Sequence, residues 1–221
     1  MFVIYSNWVL GFDMQIHVGI TTRLGASRFP GKPLAIIAGR TMPEQENKSI
    51  AASASGYEAQ VMMTDPGILR PGLRVAGAAN SMKIPDEDTL VIVQGDEPLV
   101  HPEMIEAAVS EILANKGFNL GTLVWLANEK EFNDKNELKV VFNDENQILQ
   151  MSRNPIPFEM TTGQTPRFKQ VVIMPFRARY LQELQTTLLR KNQLIEAIEL
   201  VRALENGNKV LAIKTSRTNE P

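Results

Sequence analysis

Arg23, Arg28 and Lys32 fall within ten residues, Arg23-Leu24-Gly25-Ala26-Ser27-Arg28-Phe29-Pro30-Gly31-Lys32, and Pro33-Leu34 follows. Arginine forks and a lysine ammonium donate charge-assisted hydrogen bonds to phosphate oxygens. Gly25 and Gly31 remove side chains that would keep backbone N–H groups away from a ligand. The chemistry that suits this set is triphosphate binding by a basic loop. It is not the P-loop pattern, because Gly31-Lys32 is followed by Pro33 and not by Ser or Thr. The plain alternative is a solvated strand-to-helix loop. A second group is Gln94-Gly95-Asp96-Glu97-Pro98, in which Asp96 offers a hard carboxylate oxygen. Its plain alternative is an acid pair capping a helix ahead of Pro98.

Both groups follow short apolar runs. Ile16-His17-Val18-Gly19-Ile20 precedes the basic loop, and Thr89-Leu90-Val91-Ile92-Val93 precedes Gln94. Runs of this length read as buried strands, and open α/β sheets bind ligands beyond the C-terminal ends of such strands. Along the chain, apolar runs alternate with helical patterns, which predicts an α/β fold with crossover helices. Strands are expected at 15–20, 57–63, 89–94, 119–126, 137–142, 147–151, 168–176 and 209–214. Helices are expected at 73–83, 102–115, 178–188 and 192–206. The pattern at 102–115 is the sharpest: Pro102 suits the first turn, Glu103 and Glu106 suit the positive dipole end, and Gly117 closes it. Met104, Ile105, Ala108, Val109 and Ile112 supply its apolar face. Pro155, Pro157 and the stretch from Thr161 to Pro166 mark a loop over the site.

Composition narrows the function classes. The 221 residues are 43% hydrophobic and 22% charged, with a formal net charge of −2. That balance gives no general attraction to nucleic acid or to an anionic membrane. The chain has no cysteine, which excludes disulfides and thiolate metal sites. Two histidines, His17 and His101, argue against a multi-histidine zinc site. A metal here is expected to be a hard cation on carboxylates and phosphates, magnesium before zinc. Met1 to Leu10 is apolar but lacks a basic flank and a small-residue cleavage site. It reads as an N-terminal extension over 1–13 with Met14 as a start, on a cytoplasmic protein.

Arg28-Phe29-Pro30-Gly31-Lys32-Pro33-Leu34 and Gln94-Gly95-Asp96-Glu97-Pro98 together resemble the sugar-activating nucleotidyltransferases, most closely the 3-deoxy-manno-octulosonate cytidylyltransferases (CMP-Kdo synthetases). The resemblance implies a nucleotide-diphospho-sugar transferase (Rossmann-like) fold: α/β, with a mixed, mostly parallel sheet flanked by helices. It implies one nucleotidyltransferase domain over 14–221, lacking segments near 41–56 and after 221, the latter being where the family carries its second metal aspartate. It implies CTP and an acidic octulosonate-type sugar as substrates, Mg²⁺ as cofactor, a role in lipopolysaccharide biosynthesis, and a homodimer. Arg23, Lys32 and Asp96 match the catalytic positions, Asp96 being the metal ligand, and Arg28 joins the triphosphate loop. Weaker matches follow in the family's order. Gln94 and Gly95 would shape the turn beside the nucleotide, and Arg74 is similar to the arginine of a nucleotide segment. Lys139 lies in a strand like the family's Asn-x-Val-Lys-Val-Val, with a solvated edge-strand lysine as its alternative. Arg153, in Ser152-Arg153-Asn154-Pro155-Ile156-Pro157-Phe158, would meet the sugar carboxylate or the phosphates. Gln170 and Met174 stand where the family's sugar pocket has His and Tyr. Glu196, Glu199 and Arg202 resemble its Glu-x-x-Glu-Gln-Leu-Arg helix and would share one helical face, either at the substrate or paired with one another. Two other readings stay open: a CMP-sialate-like or other sugar nucleotidyltransferase, and a nucleotide-binding homologue without turnover.

Overall fold

The computed structural model describes residues 2–8, 15–21, 36–37, 40–41, 60–65, 67–68, 70–95, 100–160, 165–184 and 186–215. Its strands are β1 (Phe2–Trp8), β2 (Ile16–Thr21), β3 (Ile36–Ile37), β4 (Arg40–Thr41), β5 (Gln60–Met62), β6 (Thr89–Gln94) and β7 (Leu120–Leu126). They continue with β8 (Lys139–Phe142), β9 (Ile148–Ser152), β10 (Phe168–Val171), β11 (Ile173–Arg177) and β12 (Val210–Lys214). The helices are α1 (Pro71–Ser81), α2 (Pro102–Ala114), α3 (Glu129–Asn133), α4 (Ala178–Leu184), α5 (Lys191–Glu196) and α6 (Glu199–Glu205). Ten strands form one sheet in the order β5-β1-β2-β6-β11-β7-β10-β8-β9, with β12 beside β7, and β3 and β4 pair separately.

The sheet is covered on both faces, which is why β6 reads as an unbroken apolar run and not as an alternation. Successive side chains of a strand point to opposite faces. Leu90 and Ile92 join the core under α1, α4 and α6, with Val75, Leu181 and Leu200. Val91 and Val93 join the core under α2, with Met104, Val109 and Ile112. The expected apolar face of α2 is thus the buried one, and Pro102 does open the helix.

β2 and β6 are parallel and in register from Ile16↔Thr89 to Thr21↔Gln94. A buried polar contact fixes the start of that register. Asp88 Oδ1 accepts the Gln15 N–H at 3.0 Å, and Asp88 Oδ2 lies 2.8 Å from His17 Nε2. Both side chains are buried, so the carboxylate ahead of β6 satisfies two groups at the start of β2 where water cannot.

The mixed sheet between helices agrees with the sequence reading, but the balance of pairing differs. Among the described pairs of the main sheet, β2–β6 and β7–β12 are parallel and the others antiparallel. β1 and β9 add antiparallel pairs at the two ends of the sheet, and in its middle the 168–177 stretch runs antiparallel to β7. Its first half borders β8 and its second half β6. Val171 faces Leu123 while Phe176 faces Leu120, so the stretch carries extra residues against β7. That irregularity is a bulge, and it divides the single strand expected at 168–176 into β10 and β11.

Two further differences concern pieces that need partners elsewhere in the chain. Residues 2–8, expected to lie in an extension, form β1 between β2 and β5. The helix expected at 192–206 breaks at Ala197, whose backbone is left-handed (φ 57°, ψ 32°). Glu205 returns to cap the first piece, its carboxylate accepting Asn192 and Gln193 N–H at 2.9 Å each. No helix among the described residues is long and apolar enough to cross a membrane.

Candidate active site

Arg23, Arg28, Lys32 and Asp96 lie outside the described residues. What the structure shows is where the chain enters their two motifs. Thr21 ends β2 and Gln94 ends β6, and they are register partners on neighbouring parallel strands. The Gly95 N–H then donates to Thr21 O at 2.8 Å, carrying the pairing one residue past the strand end. Thr21 and Gly95, the last described residues before the basic loop and before Asp96, therefore lie side by side at the C-terminal ends of β2 and β6. Gln94 is half-buried there, beyond Val93 of the core.

Arg74, on α1, is buried. Its Nε donates to Ile68 O at 2.6 Å and its Nη1 to Thr64 Oγ1 at 2.9 Å, so it orders the approach to α1. Gln170 is buried on β10, with Nε2 donated to Thr122 Oγ1 at 3.0 Å, and that hydroxyl donates to Val171 O at 3.2 Å. Met174 packs in the core at 2% exposure, so the residue aligned with a pocket tyrosine is an interior side chain here.

Lys139 corrects the alternative of a solvated edge-strand lysine: it is 0% exposed. Its Nζ donates to Asp134 O at 2.6 Å and Glu137 O at 2.7 Å, holding the turn before β8. Burial pushes its pKa down, against the pull of Asp134 and Glu137. Lys139 pairs in register with Ser152 across β8–β9, which sets the ammonium near the Arg153 segment.

Arg153 is half-buried and extensively held. Its Nε donates to Glu196 O at 3.1 Å and its Nη1 to Lys135 O at 3.2 Å. Among the described residues no carboxylate forms an ion pair with its guanidinium. Two neutral carbonyls thus orient the fork without cancelling its charge, an arrangement that leaves it able to bind an anion.

Glu196 and Glu199 do not share a helical face, a correction that follows from the Ala197 break. Glu196 ends α5 and accepts Ser152 Oγ at 2.7 Å and Arg153 N–H at 3.2 Å. Glu199 opens α6 and sits on the N-terminus of α1, accepting the Gly72 N–H at 2.8 and 3.0 Å through its two oxygens. A carboxylate there meets unsatisfied N–H groups and the positive end of the helix dipole. Burial nevertheless raises the Glu199 pKa, opposed by the bonds from Gly72 and Leu73 and by Arg70 and Arg202. Arg202 reaches instead for Thr187 O.

The sequence pointed to roles for Arg153, Glu196 and Glu199 but to none for the groups that link them, Ser152, Arg70 and Gly72. Pro71-Gly72 marks a helix start, which is the one local signal for Gly72. Nothing local signals that its partner is Glu199.

A family model described as "Cytidylyltransferase" matches residues 44–211. The chain belongs to the cytidylyltransferase family. It is accordingly a nucleotidyltransferase. The protein named 8-amino-3,8-dideoxy-manno-octulosonate cytidylyltransferase from Shewanella baltica (strain OS195) is 31% identical over 217 residues, covering 89% of each chain. Its namesake from Shewanella sp. (strain W3-18-1) is 31% identical over 228 residues, covering 94% of this chain and 93% of its own. The solved structure of CMP:2-keto-3-deoxy-manno-octonic acid synthetase complexed with CTP superposes with a TM-score of 0.81 at 22% identity. It covers 90% of this chain and 88% of that one, and it establishes the cytidylyltransferase's fold.

Proposed function

We propose that this cytidylyltransferase couples CTP to an acidic octulosonate-type sugar, Kdo or its 8-amino analogue, and releases pyrophosphate. The observation that carries the reading is the Thr21↔Gln94 pairing with the Gly95–Thr21 hydrogen bond, which starts both motifs from adjacent strand ends. The names of the Shewanella relatives and of the CTP-bound structural neighbour support the two substrates.

In this reaction a sugar hydroxyl attacks the α-phosphorus of CTP. A new oxygen–phosphorus bond forms, the hydroxyl gives up its proton to solvent, the α–β bridging bond breaks, and pyrophosphate leaves. The catalytic need is charge neutralisation and in-line placement more than acid–base work. Arg23, Arg28 and Lys32 would neutralise the charge growing on pyrophosphate. Gln94 and Gly95 would border the nucleotide, and the uncancelled guanidinium of Arg153 would take the sugar carboxylate.

Magnesium belongs to the proposal through its donor chemistry. No group of three or more His, Cys, Asp or Glu able to hold a metal stands among the described residues. The candidate ligand, by the family resemblance, is Asp96, one residue past Gly95, together with the triphosphate itself, a combination Mg²⁺ commonly takes. Bound there it would supply positive charge to the phosphates. The homodimer, the cytoplasmic location and the place in lipopolysaccharide biosynthesis rest on family resemblance.

A pyrophosphate-release assay with CTP and a panel of sugar acids tests the reading. Release is expected with octulosonates, magnesium-dependent, and lost in Asp96→Asn. Preference for a sialic acid would replace the sugar assignment, and CTP binding without release on any sugar would leave a nucleotide-binding homologue.

A further inference from the structure

Four consecutive residues, Glu196 to Glu199, tie together two segments remote from each other in sequence. The Glu196 carboxylate accepts Ser152 Oγ and the Arg153 N–H, and the Glu196 carbonyl accepts Arg153 Nε. The next carbonyl, that of Ala197, accepts Arg70 Nη1 at 3.0 Å. Glu199 then accepts the Gly72 N–H. The left-handed turn at Ala197 lets neighbouring residues reach partners on opposite sides.

The way Glu196 holds Arg153 is specific. Its carboxylate engages the main-chain N–H and the preceding serine, while only its carbonyl touches the guanidinium. A carboxylate placed on the guanidinium would orient it and also cancel its charge. The observed arrangement orients without cancelling.

We infer that Glu196 is a positioning residue: through the 196–199 turn it fixes the Arg153 guanidinium for the acidic sugar and joins that fixture to the N-terminus of α1. This rests on the proposed function for the identity of the ligand, though the fixture itself stands on the distances. It replaces direct substrate contact by Glu196, the role the resemblance implied.

The test compares the parent with Glu196→Ala and Glu196→Gln. Removing a charge-assisted acceptor is expected to raise KM for the sugar acid about tenfold, with kcat and KM for CTP changed less than about twofold. Glu196→Gln keeps one acceptor oxygen and should recover part of the loss. In parallel, the Arg153 Nε–H, bonded to the Glu196 main-chain carbonyl that alanine retains, is expected to give a sharp, exchange-protected ¹⁵N resonance in the parent and to lose that protection in Glu196→Ala, because the turn is no longer tied through the carboxylate to Ser152 and the Arg153 N–H. An unchanged sugar KM overturns the inference, as does an equal rise in both KM values or an unchanged Arg153 resonance. If Glu196→Ala fails to fold, Ser152→Ala removes the shorter contact and is read the same way. A parent without turnover on any sugar acid refutes the proposed function, and the resonance then decides the inference alone.

Discussion

Gly72→Ala offers a test in which two effects of opposite sign compete. Gly72 is the second residue of α1, and Ala is the better helix former by about 1 kcal/mol in a helix interior. On propensity alone the substitution should stabilise. A Cβ built at this position, however, would stand 2.6 Å from Glu199 Oε1 and 2.9 Å from its carboxyl carbon. Neither approach is tolerable, so the carboxylate must leave the N-terminus of α1. Its hydrogen bond from Gly72 goes with it, a charge-assisted contact of about 1.5–3 kcal/mol. The contact wins, with a net loss of roughly 0.5–2 kcal/mol. For a chain of this size each kcal/mol moves Tm by about 2–4 °C, so a central loss of roughly 1 kcal/mol lowers it by about 2–4 °C. The decisive measurement is a double-mutant cycle by thermal unfolding. In a Glu199→Ala background no carboxylate remains to displace, and Gly72→Ala should become neutral or stabilising by up to about 1 kcal/mol. A Gly72→Ala protein as stable as the parent, or one equally destabilised in both backgrounds, would refute the account of Glu199 as the cap of α1.

Arg23→Ala and Lys32→Ala should each weaken CTP binding about tenfold to a hundredfold in calorimetric titration while leaving ligand-free Tm unchanged; parent-like binding by both would remove the phosphate role of the loop. The pH dependence of stability carries a signature of Glu199. Because its folded pKa is raised, the folded state holds the proton more tightly than the unfolded one. Its contribution is full below the unfolded carboxylate pKa and is lost as pH rises through the folded value. Relative to Glu199→Gln, which cannot titrate, the parent's Tm should therefore fall as pH climbs out of the ordinary carboxylate range, and a Tm difference independent of pH would contradict the raised pKa.

Much of the framework was legible in local pattern. The apolar run 89–93 and the Pro102-to-Ile112 periodicity each specify their own element, because a two-sided buried strand and an amphipathic helix advertise themselves in consecutive residues. Helix α3 could have been read as well. Asn128 and Glu131 form a capping box, each side chain accepting the other's main-chain N–H, and that is a signal four residues long. The apolar stretch 2–8 was harder. A strand needs an edge to pair with, and the sequence does not say that β2 and β5 leave one open between them.

The chemistry divides in the same way. The strands that lead into the basic loop and Asp96 were determined by the sequence itself, because each is a contiguous apolar run; the loop and Asp96 lie outside the described residues. Which partners the remaining charged groups take was decided only in three dimensions. Lys139 looks like any edge-strand lysine until the turn 134–137 closes over it. Glu196 and Glu199 look like neighbours on one helix until Ala197 turns the chain and sends one to Ser152 and the other to Gly72, 127 positions away. A carboxylate's role depends on which donors reach it, and those donors are brought by tertiary packing from segments that the local sequence cannot name.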